Sequence, residues 1–187
     1  MRRPTCLAAA ALAGLLVACD DPNELPDATL PNVVDTLTLN AVRGTPPSTP
    51  SAFDIITGRP VRLDLTLSFD FIFDLDDALV PVFVPIDLLG MIDEDQLPPG
   101  FIPSDEPFAD IDMAPNDGYS QGDSLRFAVD DVFIMRSRLT CSSVGGLPIY
   151  GKLRVLDVDD AARQVTLEVL VNENCGYRGL AIGVPGR

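Results

Sequence analysis

The stretch 61–74 constrains the fold more than any other part of the chain. Its odd positions are Val61, Leu63, Leu65, Leu67, Phe69, Phe71 and Phe73, and its even positions are Arg62, Asp64, Thr66, Ser68, Asp70, Ile72 and Asp74. Side chains alternate faces along a strand, so this order puts seven apolar residues on one face. On a helix the same residues would be spread around the cylinder. One buried and one wet face favours an antiparallel sheet. The run is long for one strand, so a bend or bulge is expected inside it.

Other segments repeat the period of two. Leu37, Leu39 and Ala41 alternate with Thr36, Thr38 and Asn40, and Leu125, Phe127 and Val129 alternate with Arg126, Ala128 and Asp130. A strand over 131–138 is apolar on both faces. Segments 150–158 and 163–171 form the best hairpin candidate, with Asp159-Asp160-Ala161-Ala162 as its turn. A last short strand is expected over 179–184. Segment 75–118 is different. It holds Pro81, Pro85, Pro98, Pro99, Pro103, Pro107 and Pro115, and no lysine or arginine occurs from 63 to 125. It reads as one long proline- and aspartate-rich excursion, with a short helix near 87–95. The expected fold is all-β, with about seven to nine strands, as an antiparallel sandwich or an irregular barrel.

The N-terminus carries a different signal. Arg2 and Arg3 precede a short apolar segment, 7–18, which is too short to cross a bilayer as a helix and matches a secretory signal peptide. Its last residues and the next one, Leu16-Val17-Ala18-Cys19, resemble the bacterial lipobox. That resemblance implies a lipoprotein: Cys19 becomes the first mature residue and carries a diacylglyceryl group plus an N-acyl chain such as palmitate. Residues 20–32 then form a polar tether, and 33–187 form a single domain. Loss of Arg2 and Arg3 leaves 11 basic against 28 acidic residues, a net charge of −17. Such a surface repels nucleic acid and anionic headgroups, so membrane contact has to come from the lipid and not from a polybasic patch. The expected location is the cell envelope, lipid-anchored to a bacterial membrane, as a monomer, with an unknown ligand or envelope protein as its other partner.

The chain has no histidine and no tryptophan. The missing histidine excludes Ser-His-Asp and Cys-His nucleophile systems, the usual zinc sites and histidine-ligated haem. Once Cys6 leaves with the signal peptide and Cys19 takes lipid, Cys141 and Cys175 remain. In an exported chain such a pair reads as a disulfide. The oxygen-rich clusters are Asp74/Asp76/Asp77, Asp93/Glu94/Asp95 and Asp157/Asp159/Asp160. Asp74, Asp76 and Asp77 are the leading candidate calcium ligands, although none of the clusters fits an EF-hand loop. No other cofactor is expected. A carboxylate-dependent hydrolase needs two acids at a set separation across its substrate, and no pair stands out.

One more resemblance rests on paired strand patterns. Val132-Phe133-Ile134-Met135-Arg136-Ser137-Arg138 followed by Tyr150-Gly151-Lys152-Leu153-Arg154-Val155-Leu156 resembles HmuY-like lipoproteins, which are all-β and in several cases bind haem. The resemblance implies a small-ligand carrier. The resemblance extends to methionine-ligated binders, which implies Met91, Met113 and Met135 as the candidate haem ligands in a chain without histidine. The reading carried forward is a lipid-anchored, non-catalytic envelope protein that binds a ligand or partner or acts structurally. The haem carrier and the hydrolase are its alternatives.

Overall fold

The computed structural model describes residues 25–93, 96–120, 122–141 and 146–185. They contain ten strands: β1 (Val34–Asn40), β2 (Pro50–Asp54), β3 (Arg59–Arg62), β4 (Phe71–Leu75), β5 (Pro81–Pro85), β6 (Gly100–Ser104), β7 (Leu125–Arg126), β8 (Val132–Arg136), β9 (Tyr150–Asp159) and β10 (Gln164–Asn172). Two open five-stranded antiparallel sheets result, ordered β1-β10-β9-β8-β6 and β3-β2-β4-β5-β7. The fold is therefore a sandwich and not a closed barrel.

The β9–β10 hairpin forms where the alternation placed it. Val165, Leu167 and Val169 turn inward and are buried. The Asp159 carboxylate closes the turn by accepting from the Ala162 amide, and Arg163 takes up the left-handed conformation at φ 55°. A register shift between Thr166 and Leu167 bends the ladder. Proline placement follows the hydrogen-bonding rule: Pro60 and Pro103 lie inside β3 and β6, which are both edge strands.

The expected strand over 61–74 is broken in two. After β3 the chain turns, with the Leu65 and Thr66 amides both donating to the Arg62 carbonyl and Arg62 paired with Asp64 at 2.7 Å. Leu65 and Leu67 are consequently exposed, while Phe69, Phe71 and Phe73 are buried. Alternation continues in β4, but the other face is not wet: Ile72 packs with Ala52, Phe69 and Ile86 in a small outer cluster.

Segment 75–118 is also more ordered than its prolines suggest. It contributes β5 to one sheet and β6 to the other. The helix expected near 87–95 is a single 3-10 turn, Ile86–Leu89, stopped by Gly90 at φ 65°. Residues 105–120 then cross the outer face of the first sheet, where Phe108, Ile111, Ala114 and Tyr119 pack on Val132, Ile134, Tyr150, Leu170 and Leu180. This layer explains why all five residues of β8 are buried. The final strand expected over 179–184 reduces to two isolated bridges, Met113 with Gly179 and Asn32 with Gly183.

Between the sheets lies the main core, rich in phenylalanine. The Phe71 ring sits 5.4 Å from Phe53, 4.9 Å from Phe83 and 5.1 Å from Phe101, so aromatic packing from both sheets meets at one residue.

Candidate functional site

The sheets are registered so that β1 faces β2 and β3, which leaves β6 and β7 together at the opposite side. A cleft opens at each side. The larger, of about 840 Å³, runs from the β1 edge to the β2–β3 turn and is lined by Leu30, Val33, Val169, Val171, Arg59 and Glu173, among others. The smaller, of about 480 Å³, lies between the ends of β6 and β7. Asp105, Glu106, Asp130 and Asp131 stand on its rim and Phe133 at its floor. Both clefts are shallow and half polar in lining, and binding sites on a β-sandwich are expected at such edges and loop ends.

The wall of the larger cleft is held by the C-terminal loop. Asn174 accepts from the Thr29 and Leu30 amides at 2.9 and 3.0 Å and donates to the Leu30 carbonyl at 2.8 Å. The Tyr177 hydroxyl donates to the Pro26 carbonyl at 2.8 Å, and the Asn32 amide group donates to the Gly179 and Ala181 carbonyls. Of the expected tether 20–32, the part from Pro26 onward therefore lies bound against the domain. Between Asn174 and Tyr177 sits Cys175, which is bridged to Cys141 with the Cα atoms 6.0 Å apart. The bridge expected from the cysteine count is present, and Asn174 and Tyr177 act on either side of it. Cys19 lies outside the described residues.

The three leading carboxylates serve separate partners. Asp74 accepts from the Arg43 amide at 2.8 Å. Asp76 accepts from the Ala78 and Val80 amides and pairs with Arg126 at 2.7 Å, and these bonds hold its carboxyl below the usual range. Asp77 pairs with Arg43 at 3.0 Å. Among the described residues, no group of three or more His, Cys, Asp or Glu side chains is arranged to hold a metal ion. Asp159 is used in the hairpin turn, and the Asp93 carboxylate accepts from the Gln96 side chain. The methionines are dispersed: Met135 is fully buried in the main core, while Met91 and Met113 are exposed. The two strand patterns at 132–138 and 150–156 pair as antiparallel neighbours β8 and β9.

Sequence reasoning missed two clusters of buried charge. The first joins the sheets. Asp70, fully buried, accepts from the Ile55 amide at 2.7 Å and the Arg138 amide at 2.9 Å. The Arg138 guanidinium lies 3.0 Å from Asp70 and 3.2 Å from Asp54, and also donates to the Ser68 hydroxyl. Its Nη1 meets Asp70 off the hydrogen-bonding axis, so the ion pair is close but not well aligned. Burial dominates and pushes the Asp70 carboxyl up to about 6, although the Arg138 charge and the two amides pull it down. Asp70 occupies a polar position in an alternating run, which reads as solvent-facing. Only the tertiary fold reveals its partner 68 residues away.

The second cluster lies under segment 105–120. Lys152 is buried, donates to the Ile111 carbonyl at 2.8 Å and stands 4.7 Å from the centre of the Phe108 ring. Burial lowers its pKa, and Asp112, Glu168 and Asp110 oppose that shift. Beside it, Arg136 stacks on Tyr119 at 4.6 Å, and burial raises the Tyr119 hydroxyl well above its ordinary value. A sheet face that bears Arg136, Tyr150 and Lys152 next to Ile134 and Leu170 is covered instead of wet, and period-two patterning alone gives no sign of the cover.

Neither a protein-family model, nor a curated protein, nor a solved structure matches this chain.

Proposed function

We propose that this protein is a lipid-anchored, non-catalytic β-sandwich of a bacterial cell envelope that binds a ligand or partner at the edges between its sheets. The observation that carries the reading is Leu16-Val17-Ala18-Cys19 closing a short apolar segment after Arg2 and Arg3. The Cys141–Cys175 bridge supports it, because such bonds persist in oxidising compartments. The two clefts support a binding role. The non-catalytic part of the reading is supported by Asp54 and Asp70, which are both engaged by Arg138 and act as ties between sheets.

The test is metabolic labelling with palmitate. The wild-type chain should carry label and sediment with membranes, and Cys19→Ala should do neither. Label retained in Cys19→Ala, or absent from the wild type, would overturn the anchor.

A further inference from the structure

Segments 28–34 and 179–185 meet at the Asn32–Gly183 bridge, where each residue's amide donates to the other's carbonyl, at 2.7 and 3.0 Å. The Asn32 side chain points inward and is buried among the Gly179 and Ala181 carbonyls. Side chains alternate along such a pair, so Pro31 and Val33 beside Asn32, and Ile182 and Val184 beside Gly183, face outward. Leu30 is 46% exposed, Val33 64%, Ile182 76% and Val184 60%. Pro31 and Ala181 are also exposed. Segments 28–34 and 179–185 contain no Asp, Glu, Lys or Arg, in a chain that is 22% charged. The result is a contiguous apolar, uncharged patch on an otherwise acidic molecule. Patches of this kind mark contact surfaces, whereas single exposed apolar residues do not.

We infer that this patch is a membrane-contacting face, seated in the interfacial zone of the bilayer that holds the anchor. The inference rests on the lipoprotein reading, and the length of chain outside the structure chooses the occupant. Pro26 is fixed to the domain, and only residues 20–25 separate it from Cys19, a reach of at most roughly 25 Å when fully extended. The patch begins four residues after Pro26, so it adjoins the point where the anchor segment meets the folded surface. The charge pattern agrees. A mature chain of net charge −17 is repelled by anionic headgroups, and an uncharged apolar face is the part of its surface that can enter the interface without opposing charge. Leu30 and Val33 also wall the larger cleft, so that cleft opens beside the membrane.

The absence of tryptophan supplies a clean probe. Full-length, acylated Ile182→Trp is compared with acylated Leu65→Trp in phosphatidylcholine vesicles whose acyl chains carry bromine. Leu65 is 70% exposed on a different loop. The expected result is a blue-shifted Ile182→Trp emission that brominated lipid quenches, with Leu65→Trp unshifted and unquenched. If the protein carries palmitate and binds vesicles but the two variants behave alike, the patch inference falls and the anchor stands. A chain that takes no palmitate overturns the anchor reading and this inference with it. A blue shift that appears without vesicles and grows with protein concentration assigns the patch to a second copy of the chain and overturns the inference directly.

Discussion

The sandwich holds two of its cations, half-buried Arg138 and buried Lys152, in opposite ways. Arg138 sits where the two sheets meet and faces two carboxylates, Asp54 and Asp70, one from each side of the β2–β4 pairing. Lys152 sits on the outer face of the first sheet and is held by a carbonyl and an aromatic ring, with its acidic neighbours farther off. The first arrangement compensates charge with charge and joins parts of the chain distant in sequence. The second uses neutral partners to pin a covering segment. The difference teaches that these charges have separate structural duties: one ties layer to layer, the other fastens the segment that covers the first sheet.

The sharpest way to break this comparison is to remove Arg138. Arg138→Ala leaves Asp70 buried and uncompensated, and urea unfolding should show a loss of about 3–5 kcal/mol. A loss under about 1 kcal/mol would mean that water reaches Asp70 and the tie is ornamental. The covalent tie beside it is a second comparison. Cys141→Ser with Cys175→Ser opens a loop closed across 34 residues and should cost about 3–4 kcal/mol by the same measurement.

Proton linkage sharpens the contrast further. The Asp70 carboxyl, ordinarily near 3.9, is raised to about 6 in the fold. Between those values the folded state binds more protons than the unfolded state, so this group's contribution to stability is full below about pH 4 and falls as pH rises toward about 6. Asp70→Asn should remove that slope. The difference in unfolding free energy between wild type and Asp70→Asn should therefore change across about pH 4–6 and be flat above it. A difference that stays flat throughout would refute the raised value.

Lys152→Met should have the smallest global effect, within roughly 1–2 kcal/mol, because it strands the Ile111 carbonyl but also removes a desolvated charge. Its signature should be local. Amide exchange should quicken at Ala114 and Leu180, whose amides bond across the cover to Arg178 and Asp112, and stay slow in β2 and β4. Lys152 is the only lysine in the chain, so amine acetylation gives an independent reading: the wild-type lysine should label only as fast as segment 105–120 opens. Uniform exchange throughout the molecule would erase the distinction between tie and cover.

How much of this was legible in the sequence depends on the range of the interaction. The β9–β10 hairpin announces itself because alternation, turn and partner all lie close in sequence, and β1 shows by its alternation alone, since its partner β10 is distant. β5 is hidden although its partner β4 is next to it in the chain, because prolines at both of its ends look like loop, and β6 is hidden because a strand that contains Pro103 looks like loop until its distant partner β8 is known. The long run at 61–74 misleads in the other direction, since its pattern is satisfied only from Phe71 onward, where partners exist to pair with, while Phe69 joins Ile72 in the outer cluster. The disulfide could be found by counting. The Asp70–Arg138–Asp54 tie could not, because nothing local distinguishes a buried aspartate from a wet one in an alternating strand. The uncharged patch was visible as two charge-free segments, but only the Asn32–Gly183 bridge brings them together.

The position of Cys175 between Asn174 and Tyr177 has a mechanical meaning. A pull on the N-terminal segment is resisted first where Pro26, Thr29 and Leu30 are gripped by those two side chains. Behind that grip the load divides. One path runs back along β10, and the other crosses the covalent bridge to residue 141 and so to the end of β8, two strands away. Tension entering at one corner is thus shared across the sheet in parallel, instead of peeling its edge strand one hydrogen bond at a time.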